Sequence, residues 1–309
     1  MKRIEVEQLA AELSAIDSLI GNLSEDDLAG RMGLQYKRNQ IRGRLDELRA
    51  GEQRAASVAL YFGGKPVIGG RGIEVGFASG IIATYQELVS KVWAIEGGML
   101  AARGPLREQE ASTLHITSVV HGSFGFLLEE LDERGEPLFE SPLKTATDKA
   151  SALLDSFGSE DEQRFAQALE SISPRVFSSV RQFFTSMHRD NAVCRLVGAE
   201  TETVFDAAAV ERAYSRVETS DVAEDEMTVE GELLGVIPVA RRFEFRATSG
   251  ELIRGGIGPD FGESYLVRIH EEQLVGKRWR AVIRRRETKR AGGTIEAYTL
   301  MDLRELDQP

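Results

Sequence analysis

Between Lys277 and Arg290 the chain reads KRWRAVIRRRETKR, with eight positive side chains and one negative. The positions alternate. Trp279, Ala281 and Ile283 share one parity; Arg278, Arg280, Arg284 and Arg286 share the other. On a β-strand successive side chains point to opposite faces, so the apolar set is predicted to enter a core and the arginines to form an outward row. Lys289 and Arg290 extend that row toward a hairpin tip. Such a row can neutralise phosphates, and Tyr298 on the following strand is a candidate for stacking on a base. Glu296 and Asp302 are near enough in this plan to pair with some of the arginines. Three outcomes stay open for the row: a solvated face offset by neighbouring acids, a contact with an acidic protein surface, and a nucleic-acid contact.

The other reactive residue types do not assemble into a motif. Gly63 to Gly72 hold five glycines, but Lys65 is followed by Pro66 rather than by Ser or Thr opening a helix. The spacing of Gly70 and Gly72 would require a third glycine where Val75 stands. His115 and His121 would lie about 20 Å apart on one strand, and a hairpin turn does not bring them together. No His or Cys has a partner at zinc-site spacing. Ser123 sits in HGSFG, which is not the nucleophile-elbow pattern. Cys194, on an apolar strand with no neighbouring base, reads as a small buried hydrophobe. No metal, no cofactor and no catalytic residue is therefore assigned.

The elements that must position the basic row lie in the last eighty-odd residues. MTVEGELLGVIP, RRFEFRAT and GELIRGGIG are predicted strands, DFGESYLVRIHEEQLVG contains a helix, and RWRAVIRRRE and TIEAYTLMDLREL are two more strands. Five strands with a helix between the third and fourth is the element order of an OB-like β-barrel, with an SH3-like barrel as the alternative. In the last strand Ile295, Ala297, Met301 and Leu303 are expected inside, and Glu296, Tyr298, Asp302 and Arg304 outside.

Upstream, residues 5–50 carry two apolar helical stripes, Leu9-Leu13-Ile16-Ile20 and Ile41-Leu45-Leu48, and so predict a coiled-coil-like hairpin. SVALYF is a strand, followed by a helix with Phe77, Ile81, Tyr85, Leu88, Val92 and Trp93 on one face. STLHITSVVHGSFGFLLEELDE alternates as a β-hairpin turning at His121-Gly122-Ser123. Residues 141–217 are mostly helical, with Ser-Pro starts, a Ser159/Glu162 capping box, a short hairpin around Cys194, and Asp206 capping a last helix. The fold class is α+β, with antiparallel hairpins in the body.

Charge suggests the boundaries. Residues 227–309 carry a net +1 of a total of −12, which leaves −13 on the rest. The step is ETSDVAEDE, five acids without a base, read as an acidic linker over 218–226. The expected organisation is a helical hairpin arm (1–52), an α+β body (53–217), that linker, and a barrel (227–309). One cysteine in 309 residues suits a reducing compartment, and no stretch approaches the roughly 20 apolar residues of a membrane span. The start of the chain does not read as a signal peptide, so the expected location is cytoplasmic.

VHGSFGFLLEE, together with the strand–Gly-turn–helix before it and LLGVIPVARRFEFR…GELIRGG after it, resembles uncharacterised bacterial proteins with a Gly-Ser-Phe hairpin and a small C-terminal barrel. The resemblance implies a bacterial cytosolic protein and no activity. The expectation is a non-enzymatic binding or adaptor protein of a bacterial assembly, phage defence included, acting through a protein partner or self-association. The alternative is a nucleic-acid-binding protein using the barrel's basic face.

Overall fold

The computed structural model describes residues 2–22, 28–50, 54–97, 109–120, 124–131, 137, 139–198, 201–237, 240–258, 274–290 and 292–306. The expected turn at 121–123 and the expected helix after Asp260 lie outside the described residues. Among those described, the fold is α+β with seven α-helices. They divide into two compact units, residues 1–168 with 178–215 and residues 169–177 with 216–309.

In the first unit, α1 (Lys2–Asn22) and α2 (Leu28–Ala50) form the hairpin. Ile16 and Ile41 are buried against each other, and Leu9, Leu13, Ile20 and Leu34 pack around them. Leu45 and Leu48 lie outside the described side chains. The body is a five-stranded antiparallel sheet built from β1 (Ser57–Gly64), β4 (His115–Val120), β5 (Phe124–Glu129), β6 (Ala192–Val197) and β7 (Glu202–Phe205) in the order β4-β5-β1-β6-β7. β2 (Val67–Ile68) pairs with β3 (Gly72–Ile73) as a separate two-stranded ribbon.

The alternation from Leu114 to Leu128 predicts one buried and one wet face, and the structure corrects it: Leu127 and Leu128 of β5 are both buried, and the central strand β1 beside it is buried on both faces from Ser57 to Phe62. The edge strand β4 is exposed instead, with Ile116 at 55%, and a register shift at Ile116/Ser118 makes Thr117 an extra residue.

The helices follow their local signals. α3 (Val75–Glu96) buries Phe77, Ile81, Tyr85, Leu88 and Val92. In α4 (Pro142–Gly158) the Ser141 hydroxyl accepts from the Lys144 amide at 2.9 Å, and Pro142 occupies the first turn, where a missing N–H costs nothing. α5 (Glu162–Ser171) is capped by Asp161, whose carboxylate accepts from the amides of Gln163 and Arg164. Ser159 instead accepts from the Asp161 amide, so the expected Ser159/Glu162 box is displaced by two residues. α6 (Pro174–Arg189) starts at Ser173, and α7 (Ala207–Thr219) is capped by Asp206.

The second unit contains a closed barrel of β8 (Asp221–Ile237), β9 (Arg242–Ala247), β10 (Leu252–Ile257), β11 (Arg278–Arg290) and β12 (Gly293–Glu305). Around the barrel the order is β8-β9-β10-β12-β11, closing on β8, and the β10–β12 contact is parallel while the other pairs are antiparallel. Leu233, Phe243, Phe245, Ile253, Trp279, Ala281, Ile283, Leu300 and Leu303 fill it. Trp279 is 2% exposed, and its indole N–H donates to the Leu274 carbonyl at 2.8 Å, which satisfies the one polar atom the ring brings inside. Gly255 lies where β10 approaches β12: a Cβ there would come within 1.9 Å of the Tyr298 carbonyl oxygen.

The stretch expected as a linker is corrected. Residues 218–219 end α7, and Asp221 to Glu226 are the first turnless run of β8, paired residue by residue with β11. Acids have low strand propensity when isolated, and an all-acid run reads as solvated loop. Here each acid faces a base. Including Asp221, Glu224, Asp225 and Glu226 turns the +1 of residues 227–309 into −3 for 221–309.

Candidate functional site

The structure places the basic row directly against that acidic run. In register, Arg280 faces Glu230, Arg284 faces Glu226, Arg285 faces Asp225 and Arg286 faces Glu224. The side chains close the pairs. Arg280 donates to Glu230 at 3.0 and 3.1 Å, Arg284 to Glu226 at 3.1 Å, Arg285 to Asp225 at 3.1 Å, and Arg286 to Glu224 at 2.7 Å. The hydrogen bond to the Asp225 carboxylate raises the Arg285 pKa further above its ordinary value. Sequence reasoning did not select Arg285, because its parity is that of Ile283; it lies past the end of the barrel core, where that face is open.

The remaining candidates are also engaged. Arg278 donates to the Thr248 hydroxyl at 3.3 Å. Lys289 pairs with Glu287 at 3.0 Å, which raises its pKa. Arg290 approaches Glu170 at 3.9 Å, and Arg286 also donates to the Glu170 backbone carbonyl at 3.0 Å. The row is therefore not one uniform face. From Arg278 to Arg284 it is open, whereas at its far end Thr288 and Val222 are buried.

Tyr298 is corrected. A register shift at Val282/Ile283 makes Met301 an extra residue on β12, so parity inverts beyond it. Leu300 and Leu303 are buried, Ala297 is exposed, and Tyr298 packs partly against the barrel core. Its hydroxyl donates to Glu296 at 2.7 Å. That bond, reinforced by burial, pushes the phenol pKa up to about 12. Its ring is not a free stacking platform.

A second feature of the barrel has no counterpart in the sequence reading. A groove of 460 Å³ opens over β8, β9 and β10, lined by Val236, Ile237, Arg242, Phe243, Glu244 and Arg254 among others. Ile237 is 58% exposed. Arg254 is paired with Glu244 at 2.8 Å. The Arg242 side chain makes no hydrogen bond or ion pair among the described residues. Each of these residues sits in ordinary strand alternation, and only the folding of three strands into one wall gathers them.

No known protein family matches this sequence, and no curated protein matches it.

In the first unit Cys194, Tyr85 and Lys91 are committed to structure. Burial pushes the Cys194 thiol up, away from the reactive thiolate. Burial likewise raises the Tyr85 phenol, which hydrogen-bonds the Ser151 hydroxyl at 3.0 Å. Lys91 is buried, with its ammonium on Glu87, Ser178 and Ser179 at 2.8, 3.2 and 2.8 Å. His115 is exposed on β4, and His121 and Ser123 lie outside the described residues. Among the described residues no group of three His, Cys, Asp or Glu side chains could hold a metal ion, and no helix is long and apolar enough to cross a membrane.

Proposed function

We propose that the chain is a non-enzymatic binding or adaptor protein, with the C-terminal barrel as its recognition module for a protein partner. The observation that carries this reading is the ladder between β8 and β11. A face whose arginines from Arg280 to Arg286 are each met by an acid has little net charge to release counterions from a phosphate backbone. It suits contact with a protein surface of mixed charge, where polar complementarity sets specificity. The strand order with its parallel β10–β12 pair supports an OB-like rather than an SH3-like barrel, and OB-like barrels bind along the wall where the groove lies. The buried, engaged state of Cys194, Tyr85 and Lys91 supports a binding role over a catalytic one. The proposed setting is the bacterial cytosol, within a larger assembly, phage defence included.

The test is affinity purification of the tagged full chain from its host, with and without nuclease, followed by reconstitution from purified components and light scattering. A protein partner that survives nuclease and re-forms a complex is the expected result. A monomer that retains nothing, or retention that nuclease abolishes, contradicts the reading.

A further inference from the structure

Resting on that protein-binding reading, we propose that the groove over β8, β9 and β10 seats an extended segment of the partner in which a carboxylate side chain neighbours an aliphatic one. Arg242 is the anchor. The other outward arginines of this wall are taken, Arg254 by Glu244 at 2.8 Å and Arg246 by Glu232 at 3.9 Å. Arg242 keeps its donors unspent among the described residues, and a guanidinium matches a carboxylate with two parallel hydrogen bonds.

The residues beside it define the rest of the ligand. In the ladder Arg242 stands between Ile237 of β8 and Gly256 of β10. Ile237 offers exposed aliphatic surface, which rewards an apolar neighbour of the bound carboxylate. Gly256 has only the Arg241 carbonyl oxygen at 4.0 Å from an added Cβ, and Gly235, opposite Glu244, has nothing within 4 Å. This bare floor lets a peptide backbone approach the strands closely.

The turn that delivers Arg242 is fixed in advance. Arg241 adopts the left-handed conformation at φ 47, its guanidinium donates to the Gly258 carbonyl at 2.7 Å, and its own carbonyl accepts from the Ile257 amide at 2.8 Å. Preorganisation of this kind lowers the ordering cost of binding. A nucleic-acid strand fits less well. Phe243 and Phe245 point inward and are buried, so neither offers its ring for base stacking, and Glu244 in the floor repels a continuous run of phosphates.

Selection of random peptides displayed on phage against the immobilised full chain tests the proposal. Enriched sequences should place Asp or Glu beside Ile, Leu or Val. Their affinity should fall about tenfold or more in Arg242→Gln and in Ile237→Ser, fall by an intermediate amount in Arg242→Lys, which keeps the charge and loses the paired hydrogen bonds, and be unchanged in Arg304→Gln, outside the groove. Thermal unfolding of each variant separates loss of binding from loss of fold. Enrichment of sequences without an acid, binding indifferent to Arg242→Gln, no enrichment, or preference for a dT oligonucleotide overturns the proposal. A concentration-dependent doubling of mass that Arg242→Gln abolishes overturns it in favour of a second copy. A purified partner that still binds Arg242→Gln overturns the groove alone and leaves the adaptor reading standing.

Discussion

Arg286 and Glu224 hold each other across β11 and β8 at 2.7 Å, with side chains only 26% and 16% exposed, the least exposed pair of the ladder. The same guanidinium donates to the Glu170 carbonyl, so this arginine joins the barrel ribbon to residues 169–177 of its own unit. It is a structural cation, not a waiting ligand site.

Glu224→Gln should therefore destabilise the protein by about 1–3 kcal/mol, because it strands a half-buried guanidinium. Glu230→Gln, in an exposed pair of the same ladder, should cost about 0–1 kcal/mol. Urea denaturation of the full chain compares the two. Equal losses would place Arg286 among the ordinary surface arginines.

Gly255→Ala and Gly256→Ala are adjacent substitutions with opposite expectations. A Cβ at Gly255 meets backbone of β12 at 1.9 Å, whereas at Gly256 the space is open. The first should lower the melting temperature by many degrees, since backbone must move and the barrel closure with it; the second should shift it by a few degrees at most. Differential scanning calorimetry reads both.

Tyr298 gives a pH signature. Its phenol loses a proton near pH 10 when unfolded and about 12 when folded. A raised folded pKa means that its contribution to stability is fully present below pH 10 and is lost as pH rises toward 12. Native Tyr298 should show this alkaline decline, and Tyr298→Phe should flatten it. Spectrophotometric titration of the phenolate together with stability against pH checks the sign.

Much of the barrel is legible in the sequence. The alternation of Trp279, Ala281 and Ile283 places three core residues, and Phe243 and Phe245 follow the same rule. Other features are hidden for physical reasons. The acids from Asp221 to Glu226 are strand residues only because arginines lie opposite them, a condition set by pairing and not by local propensity. Met301 as an extra residue inverts the faces of β12, so that Tyr298 turns inward, and no residue type at that position announces a bulge. SVALYF announces a strand but not that both its faces are covered, which depends on what packs over the sheet. The groove is the least legible feature: Ile237, Arg242 and Gly256 are spread over twenty residues and become neighbours only through register.

The central claim is that the acids of β8 neutralise the positive charge of β11 on the barrel's own surface. Fluorescence anisotropy of labelled single- and double-stranded oligonucleotides at low salt measures this directly on the native chain and on the double variant Glu226→Gln/Glu230→Gln. The account predicts no binding by the native protein and weak, salt-sensitive binding by the variant whose Arg280 and Arg284 have been released. Native binding that falls steeply with salt and is indifferent to those two glutamates would contradict it.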